Sequence, residues 1–442
     1  GGSGERFWPL SKTNKPKQLL DLSGNNKTLL EESIDRIINF VNNTDIYIIT
    51  NSILQNKIRD ILKTIPPENV IAEPYKRNTA PCLALGASII LAKYCNYKPN
   101  EIVISVLTAD HIIEPVDKFL NSFNILSDFS FKSDSISTIG IVPNRAETGF
   151  GYIELANFID ENNNIFKAKK FHEKPDKDTA IKYIQSGNFL WNSGMFFYRL
   201  DIFISLMINH LPEIGLQIKN IADLLKEDVY KVLYGAHPKI DDIYKNFPDI
   251  SIDYGLMEKL KAVYVLKSNF DWDDIGSWDA LFRIRNKDIN GNIIEGEVEY
   301  IDVTNSIIIN QSSEKFLIAG FRLEDMLIVK TNDALLVTKL SRENNSDDCF
   351  SVLMGSEFHD YNLQVNGHDF KLLCWNNNII FDENNLAALK NDLGQVYFLR
   401  KNLETYLYVV DTLNTLSGTY YLTVGKEIEK HYRLDTKKFT FE

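Results

Sequence analysis

The chain has 442 residues, of which 44% are hydrophobic and 24% are charged, a composition typical of globular proteins with about two or three domains. Its net charge of −12 argues against a general nucleic-acid binder, because such proteins need a basic face. No apolar run reaches the ~20 residues of a membrane span, and the given sequence shows no basic-then-apolar pattern of a signal peptide. We therefore expect a cytoplasmic protein with neither nucleic acid nor membrane as partner. The four Cys lack zinc spacing, so no structural zinc site is expected.

The first 145 residues alternate between helix and strand patterns. Helices are predicted at 28–41, 51–62, 79–95 and 117–129, and strands at 46–50, 69–72, 102–107 and 137–142. Thr28 and Glu31 have the capping-box spacing at the start of the first helix. The nearly continuous apolar run 102–107 is typical of a central strand buried on both faces. This alternation predicts an α/β fold with a Rossmann-like, mostly parallel sheet flanked by helices.

The later segments differ in character and divide the chain into regions. Strand and turn patterns cover 148–198, and helical patterns cover 200–265. We place a first domain at 1–285 and a short β-helix-like domain at 286–340, where short apolar bursts alternate with Asn, Gly and Asp. A polar linker follows at 341–349. Residues 350–442 are predicted to form a small α+β region of unknown role.

The opening segment, Gly1 to Leu10, combines glycines with a basic residue. Gly1, Gly2 and Gly4 allow the backbone to approach a ligand and turn its N–H groups toward an anion. Arg6 adds a fork for phosphate oxygens, and Lys17 adds a point charge. A glycine-rich loop alone is often only a turn. Together with the PKQ segment around Lys17, however, this one resembles the GGxGxRxxPL…PKQ signature of sugar-nucleotide pyrophosphorylases.

Further segments follow in the order that this family shows, from residue 1 to about 340. They are EPYKRNTAP at 73–81, TADH at 108–111, ETGFGYI at 147–153, FHEKP at 171–175, WNSGMF at 191–196, SIDYGLME at 251–258 and FDWDDIGSW at 270–278. The chain is therefore identified as a member of the sugar-1-phosphate nucleotidyltransferases, and it is most similar to the bacterial mannose-1-phosphate guanylyltransferase branch. The resemblance makes residues 1–285 the catalytic domain.

The resemblance implies a magnesium site. Asp110 follows a predicted strand, and its alternative role is a turn or cap residue. Asp274 would be the second carboxylate on Mg²⁺, which prefers one or two carboxylates together with phosphate oxygens. Asp273 stands where relatives often have a neutral residue, so which of the two neighbouring acids binds metal stays open. His111 is expected to orient the loop. Arg6, Lys17, Asp110 and Asp274 form the expected catalytic set.

The resemblance also implies two substrate sites. Nucleotide binding is assigned to Gly1, Gly2, Gly4, Arg77, Asn78 and Thr79. Asn78 or Thr79 could equally cap a helix, and both roles are compatible because a helix N-terminus attracts anions. Sugar-phosphate binding is assigned to Gly151, Tyr152, Glu173, Lys174 and Asn192. The alternatives here are a bulged strand at the glycines and a solvated charge pair at 173–174.

The implied reaction joins GTP and mannose 1-phosphate to give GDP-mannose, for polysaccharide biosynthesis, and pyrophosphate. Mg²⁺ is the expected cofactor, and a homodimer is a candidate assembly. Another nucleotide or sugar 1-phosphate is the nearest alternative. A non-catalytic regulatory subunit that binds sugar nucleotides is a second alternative. A glycosyltransferase with an Asp-x-Asp motif is disfavoured by the opening loop.

Two departures from the family pattern carry expectations of their own. The family's glycine loop follows an apolar strand, whereas this chain begins at Gly1, so we expect an N-terminally incomplete polypeptide that is poorly stable or inactive as written. Many relatives end in a cupin-type phosphomannose isomerase domain. Residues 350–442 contain no His-x-His pair, so we expect no isomerase activity there and interpret them as a metal-free remnant or an oligomerisation element.

Overall fold

The structure, a computed structural model, describes residues 5–227 and 237–340, and beyond them only the strands between 358 and 440. Two compact units divide the chain. Unit 1 consists of Gly1–Ser3 and Asn14–Ile275, and unit 2 consists of Gly4–Thr13 and Gly276–Glu442. The predicted domain limits at 285, 340 and 349 stay predictions.

Unit 1 alternates helices and strands, as the first 145 residues predict. Its described helices are α1 Leu29–Asp35, α2 Ser52–Ile61, α3 Thr79–Lys93, α4 Val116–Lys132, α5 Lys177–Ser186, α6 Leu200–His210, α7 Pro212–Glu227, α8 Pro238–Lys245 and α9 Ile252–Gly255. Its described strands are β1 Ile48–Thr50, β2 Val70–Ala72, β3 Val103–Val106, β4 Ile112–Glu114, β5 Ile136–Ile141, β6 Gly151–Asp160, β7 Ile165–Glu173, β8 Phe189–Arg199, β9 Val263–Lys267 and β10 Asp271–Asp273. The capping box of α1 is confirmed, because Glu31 N donates to Thr28 Oγ1 at 3.2 Å and Thr28 N donates to Glu31 Oε2 at 2.8 Å.

The α/β class is confirmed, and the main sheet of unit 1 is mixed. Its strand order is β3-β8-β5-β9-β7-β6. Within it β5 and β9 pair in parallel, as do β1 and β2 in a separate sheet, whereas β8 runs antiparallel to β3, β5 and β6. The sheet therefore differs from the mostly parallel pairing that the α/β alternation favours, because β8 comes from the strand-and-turn region and inserts between β3 and β5.

The strand buried on both faces is β5 rather than the predicted run 102–107. All six residues of β5 are buried, whereas all four residues of β3 are only half-buried. Within the described part of the chain β3 pairs with β8 alone, which leaves it at one end of the strand order. Alternate residues of β5 belong to different cores: Ile136 packs in one cluster and Ile139 in the other. Helices thus cover both faces of the sheet, with α3, α6 and α7 on the first side and α1, α2 and α4 on the second.

A short antiparallel pair brings distant segments of unit 1 together. Strand β4 pairs with β10 in the register Ile112 to Asp273. Because antiparallel partners run in opposite directions, the residue before Ile112 lies opposite the residue after Asp273. The pairing therefore places His111 opposite Asp274 and brings Asp110 beside the same end of the ladder.

Unit 2 is built from short strands around an isoleucine-rich core. Its described elements up to residue 340 are α10 Leu281–Ile284, β11 Ile293–Glu295, β12 Val298–Thr304, β13 Ile307–Asn310, β14 Ile318–Glu324, β15 Met326–Lys330 and β16 Leu335–Lys339. Strands β11, β13 and β15 stack in parallel, as do β12 and β14, and β16 closes the first ladder in the antiparallel sense. The segment after the glycine loop belongs to this unit: the fully buried Phe7 ring lies 5.1 Å from the Trp278 ring.

The remaining described segments are strands. They are β17 Phe358–Val365, β18 His368–Trp375, β19 Leu386–Asn391, β20 Val396–Asn402, β21 Thr405–Val409, β22 Thr419–Ile428 and β23 His431–Thr440. Strands β17 to β21 form an antiparallel sheet in chain order, and β22 pairs with β23. The helices expected from an α+β region at 350–442 are not among these described segments.

Candidate active site

Lys17 joins the two predicted metal-binding segments of unit 1. Its Nζ donates to Asp110 Oδ2 at 3.0 Å and also to the main-chain oxygen of Asp274. The Lys17 side chain is only 12% exposed, so this cation is held in place rather than solvated. The structure thus brings Lys17, Asp110 and Asp274 together, although they come from widely separated parts of the sequence.

Burial and neighbouring charges shift the pKa values of the two carboxylates in this cluster. Burial acts to raise the pKa of Asp110, but the Lys17 ammonium and His111 outweigh it and hold that pKa below its ordinary value. Burial raises the pKa of Asp274 to about 6, with Asp273 and Glu147 adding to the effect against the opposing charge of Lys17. A further cation beside Asp274 would be stabilised, since it would offset the repulsion among these carboxylates.

His111 is fixed as a neutral imidazole. Trp272 Nε1 donates to its Nδ1 at 3.0 Å, and Thr108 Oγ1 lies 2.6 Å from the same nitrogen. Because an indole N–H can only donate, Nδ1 is the acceptor and the proton resides on Nε2, which lies 3.7 Å from Asp110 Oδ1. Burial lowers the pKa of His111 to about 4, so the ring stays uncharged near neutral pH. This geometry supports an orienting role for His111.

The Asp273 carboxylate accepts a hydrogen bond from the main chain two residues further along. Its Oδ1 accepts the main-chain N–H of Ile275 at 2.8 Å, an Asx-type turn, and its side chain is only 9% exposed. Ile275 has a φ of 45°, a conformation that is rare for a β-branched residue. The carboxylate of Asp273 therefore stabilises the turn after Asp274, which favours Asp274 as the residue available to a metal.

Arg145 is a cation of this site that the sequence patterns did not single out. Its guanidinium lies 5.0 Å from the centre of the Trp191 ring, its Nε is 3.2 Å from Glu147 Oε2, and its Nη1 is 3.9 Å from Asp273 Oδ2. Its position two residues before the ETGFGYI segment was the available signal. A single arginine in a loop is too common to carry that inference by itself.

Three of the predicted sugar-phosphate residues lie together: Gly151 at the start of β6, Glu173 at the end of β7 and Asn192 within β8. Asn192 Nδ2 donates to Asp253 Oδ1 at 3.0 Å, and Asn192 Oδ1 accepts from Gly194 N at 3.2 Å. Burial raises the pKa of Glu173, and the nearby Asp253 carboxylate raises it further. Asp253 is therefore part of this group, although the sequence identified only the SIDYGLME segment around it, as one of the family motifs.

Gly151 and Lys174 show how the backbone makes room at this group. Gly151 pairs with Glu173 across β6 and β7, and a Cβ at position 151 would lie 2.7 Å from Glu173 Oε2. Lys174 has a φ of 45° and donates its N–H to the Phe150 oxygen at 3.2 Å. Any side chain at 151 would displace the Glu173 carboxylate, so the glycine is required for this arrangement.

The structure corrects the prediction for Tyr152. Its side chain is 0% exposed, and its Oη donates to the Glu147 main-chain oxygen at 2.9 Å. The ring packs among Tyr183 and Trp191 in the core because position 152 faces the opposite side of β6 from Gly151. Tyr152 thus supports the 147–150 loop, and its side chain offers no surface to a sugar phosphate.

The predicted nucleotide-binding residues are only partly described. Gly1, Gly2 and Gly4 lie outside the described residues. Arg6, predicted as a catalytic residue, belongs to unit 2, where it is exposed and its Nη1 lies 3.4 Å from the Gly276 oxygen. The other predicted residues lie at the N-terminus of α3. Arg77 Nη2 donates to Lys245 O at 2.5 Å, and Asn78 Oδ1 accepts from Thr79 N at 2.9 Å. Thr79 Oγ1 accepts from Ile252 N at 2.8 Å. Asn78 is therefore the helix cap, as the alternative interpretation had it.

Comparison with known proteins agrees with this geometry. The nucleotidyl transferase family profile matches residues 1–291. The chain belongs to this family. It is 36% identical to a mannose-1-phosphate guanylyltransferase of Salmonella montevideo over 76% of this chain and 69% of that protein, and 31% identical to one of Escherichia coli over 78% and 72%. Within the nucleotidyl transferases it therefore groups with the bacterial mannose-1-phosphate guanylyltransferases.

A solved structure supports the same fold. A Thermus thermophilus protein, described as a mannose-1-phosphate geranyltransferase, is 26% identical and superposes with a TM-score of 0.66 over 80% of this chain and 97% of that one. Among the helices that the structure describes, none is both long enough and apolar enough to cross a membrane.

Proposed function

We propose that this nucleotidyltransferase transfers GMP from GTP to mannose 1-phosphate, giving GDP-mannose and pyrophosphate. The relatives named above support the substrates. The observation that carries the chemistry is the Lys17 ammonium, which lies 3.0 Å from Asp110 and also contacts the main chain of Asp274. Three positions of the family signature thus form one charged cluster at the end of the β4–β10 ladder.

The reaction needs positioning and positive charge rather than a general base. The second pKa of a phosphate monoester is near ~6, so the attacking oxygen of mannose 1-phosphate is already ionised near neutral pH. It would attack the α-phosphorus of GTP in line with the departing pyrophosphate. Lys17 would stabilise charge on the transferring and leaving phosphates. Arg6 and the N–H groups of the glycine loop would hold the triphosphate.

The residues of the cluster fit Mg²⁺. Within the described residues no three His, Cys, Asp or Glu side chains form a cage for a metal. Mg²⁺ sites in phosphoryl-transfer enzymes, however, use one or two carboxylates and take their other ligands from phosphates and water. Lys17 already places a cation against Asp110, and burial first, then the Asp273 and Glu147 charges, raise the pKa of Asp274. Asp110 and Asp274 would hold the ion, which would supply positive charge to the phosphates during transfer.

The sugar phosphate would bind at the ends of β6, β7 and β8. Lys174, the exposed residue after β7, would bind its phosphate, and Glu173 would accept hydrogen bonds from sugar hydroxyls. Asn192 offers both donor and acceptor groups, and Asp253 fixes its orientation by accepting from Nδ2.

A pyrophosphate-release assay with the full chain tests the function. GTP, ATP, UTP and CTP would each be combined with mannose 1-phosphate and with glucose 1-phosphate, with and without Mg²⁺. We expect the highest kcat/KM for GTP with mannose 1-phosphate, and release only with Mg²⁺. A preference for another pair would establish the alternative nucleotidyltransferase. Binding of GDP-mannose without any release would support the regulatory-subunit alternative instead.

The two parallel ladders of unit 2 support a short β-helix-like arrangement at 286–340. The cytoplasmic location, the homodimer, the destination of GDP-mannose in polysaccharide biosynthesis and the role of residues 350–442 stay predictions.

A further inference from the structure

The short helix α9 lies against the start of α3. Ile252 N donates to Thr79 Oγ1 at 2.8 Å, and Ala80 N donates to the Ile250 oxygen at 3.2 Å. Ile252 itself is only 2% exposed, so its N–H has no ready access to water. An N–H in the first turn of a helix has no partner within that helix and must find one elsewhere. The Thr79 hydroxyl oxygen is that partner.

The residue after Ile252 belongs to the sugar-phosphate group. Asp253 accepts from Asn192 at 3.0 Å, and its charge acts on the neighbouring Glu173. The N-cap of α9, Ser251, accepts from Tyr254 N at 3.3 Å. A helix of four residues is too short to be stable without contacts outside it.

We propose that Thr79 is a positioning residue for the sugar-phosphate site, because its hydroxyl holds the Ile252 N–H and thereby places Asp253 against Asn192. The resemblance to the family assigns Thr79 to the nucleotide. Its hydrogen bond to Ile252 instead connects it to the sugar-phosphate site. The predicted effect on KM rests on the proposed function, whereas the hydrogen bond between Thr79 and Ile252 does not depend on catalysis.

The same contact links the two substrate sites. Thr79 is the first residue of α3, next to Asn78, which caps that helix in the segment assigned to the nucleotide. A change in the N-terminal turn of α3 on nucleotide binding is thus transmitted to α9 and Asp253 through the hydrogen bond of Thr79 to Ile252 and that of Ala80 to Ile250. Reciprocity of coupled binding then requires that the sugar phosphate bias nucleotide affinity by the same factor.

Thr79→Val tests the inference because it removes the hydroxyl and keeps the shape. Loss of the acceptor for a buried N–H should raise the KM for mannose 1-phosphate about five- to tenfold and leave the KM for GTP within about twofold. Thr79→Ser restores the oxygen and should return the sugar KM to within about twofold of wild type. Thr304→Val, at an exposed threonine of β12, is the matched control and should change neither KM.

A double-mutant cycle separates positioning from direct contact. If Thr79 acts through Asp253, adding Thr79→Val to Asp253→Ala should raise the sugar KM by less than about twofold more than Asp253→Ala alone. Full additivity, or a rise in the GTP KM with the sugar KM unchanged, would overturn the inference.

Amide hydrogen exchange of residues 250–256 distinguishes a wrong role for Thr79 from a wrong proposed function. Exchange should accelerate at least about fivefold in Thr79→Val even if the wild-type chain turns over neither substrate. Unchanged exchange would overturn the contact, whereas absent wild-type turnover with accelerated exchange would refute only the proposed reaction.

Discussion

Lys17→Met is the perturbation that most directly tests the charged cluster. Methionine keeps the length of the side chain and removes its charge. The wild-type ammonium outweighs burial and holds the pKa of Asp110 below its ordinary value, and it also lowers that of Asp274, so both pKa values should rise in the variant. Breaking a fully buried ion pair costs about 3–5 kcal/mol. The Asp110 side chain is 35% exposed, so we expect a loss nearer ~1–2 kcal/mol, or a Tm lower by ~2–6 °C.

The activity of Lys17→Met should fall far more than its stability. Removal of one charge that stabilises developing phosphate charge costs about 10²–10³-fold in rate, and we expect that loss in kcat/KM for GTP in the pyrophosphate-release assay. Without nucleotide, Mg²⁺ should raise the Tm of the variant more than that of wild type, because Lys17 no longer occupies the Asp110 carboxylate. Lys57→Met is the matched control, since Lys57 Nζ donates to the Asn14 main-chain oxygen at 2.9 Å on the surface.

Two results would refute this reasoning. Unchanged kcat/KM in Lys17→Met would remove Lys17 from the chemistry. If Mg²⁺ raises the Tm of the variant less than it raises the Tm of wild type, Lys17 does not lie where the metal binds. The assignment of the metal to Asp110 would then be wrong.

Three further predictions concern the other charged residues. Asp110→Asn should reduce Mg²⁺-dependent pyrophosphate release to background while Tm changes by no more than ~3 °C; full activity would contradict the metal assignment, and Asp117→Asn on α4 is the control. Lys174→Ala should raise the KM for mannose 1-phosphate about tenfold with the GTP KM unchanged, whereas a selective rise in the GTP KM would assign Lys174 to the nucleotide. The pKa of Glu173 is raised by burial first and then by Asp253, so its favourable contribution to stability is present at low pH and is lost as pH rises through the folded pKa. Glu173→Gln mimics the protonated form, so its Tm should exceed that of wild type near about pH 8 and equal it near about pH 4. The same difference in Tm at both pH values would be inconsistent with this explanation.

The sequence predicted the elements of unit 1 better than their arrangement. Capping at Thr28 and the helix at 79–95 follow from local patterns, and both are confirmed. The position of β3 in the sheet is not a local property, because it depends on which strand pairs with its edges. An apolar run such as 102–107 indicates a strand, but its length and composition do not specify whether β8 will insert beside it.

The candidate site shows the same division. Asp110 and Asp274 were found from motifs, yet their juxtaposition depends on a ladder of only three pairs between β4 and β10. Strands so short have no readable period, so no sequence pattern predicts that register. Arg145 and Asp253 were missed as site residues because each is a single charged residue whose partners, Asp273 and Asn192, lie far away in sequence.

The charge balance of the cluster bears on the regulatory-subunit alternative. A shift of one pKa unit corresponds to about 1.4 kcal/mol, so the rise in the pKa of Asp274 from 3.8 to about 6 corresponds to roughly 2–3 kcal/mol of unfavourable environment for the charged form. A protein that only bound a sugar nucleotide would be more stable with a neutral residue at position 274, since no contact among the described residues requires that carboxylate. In a catalyst, the same unfavourable charge strengthens its interaction with a cation brought in with the triphosphate. The retained Asp274, beside an Asp110 already neutralised by Lys17, is therefore best explained by catalysis.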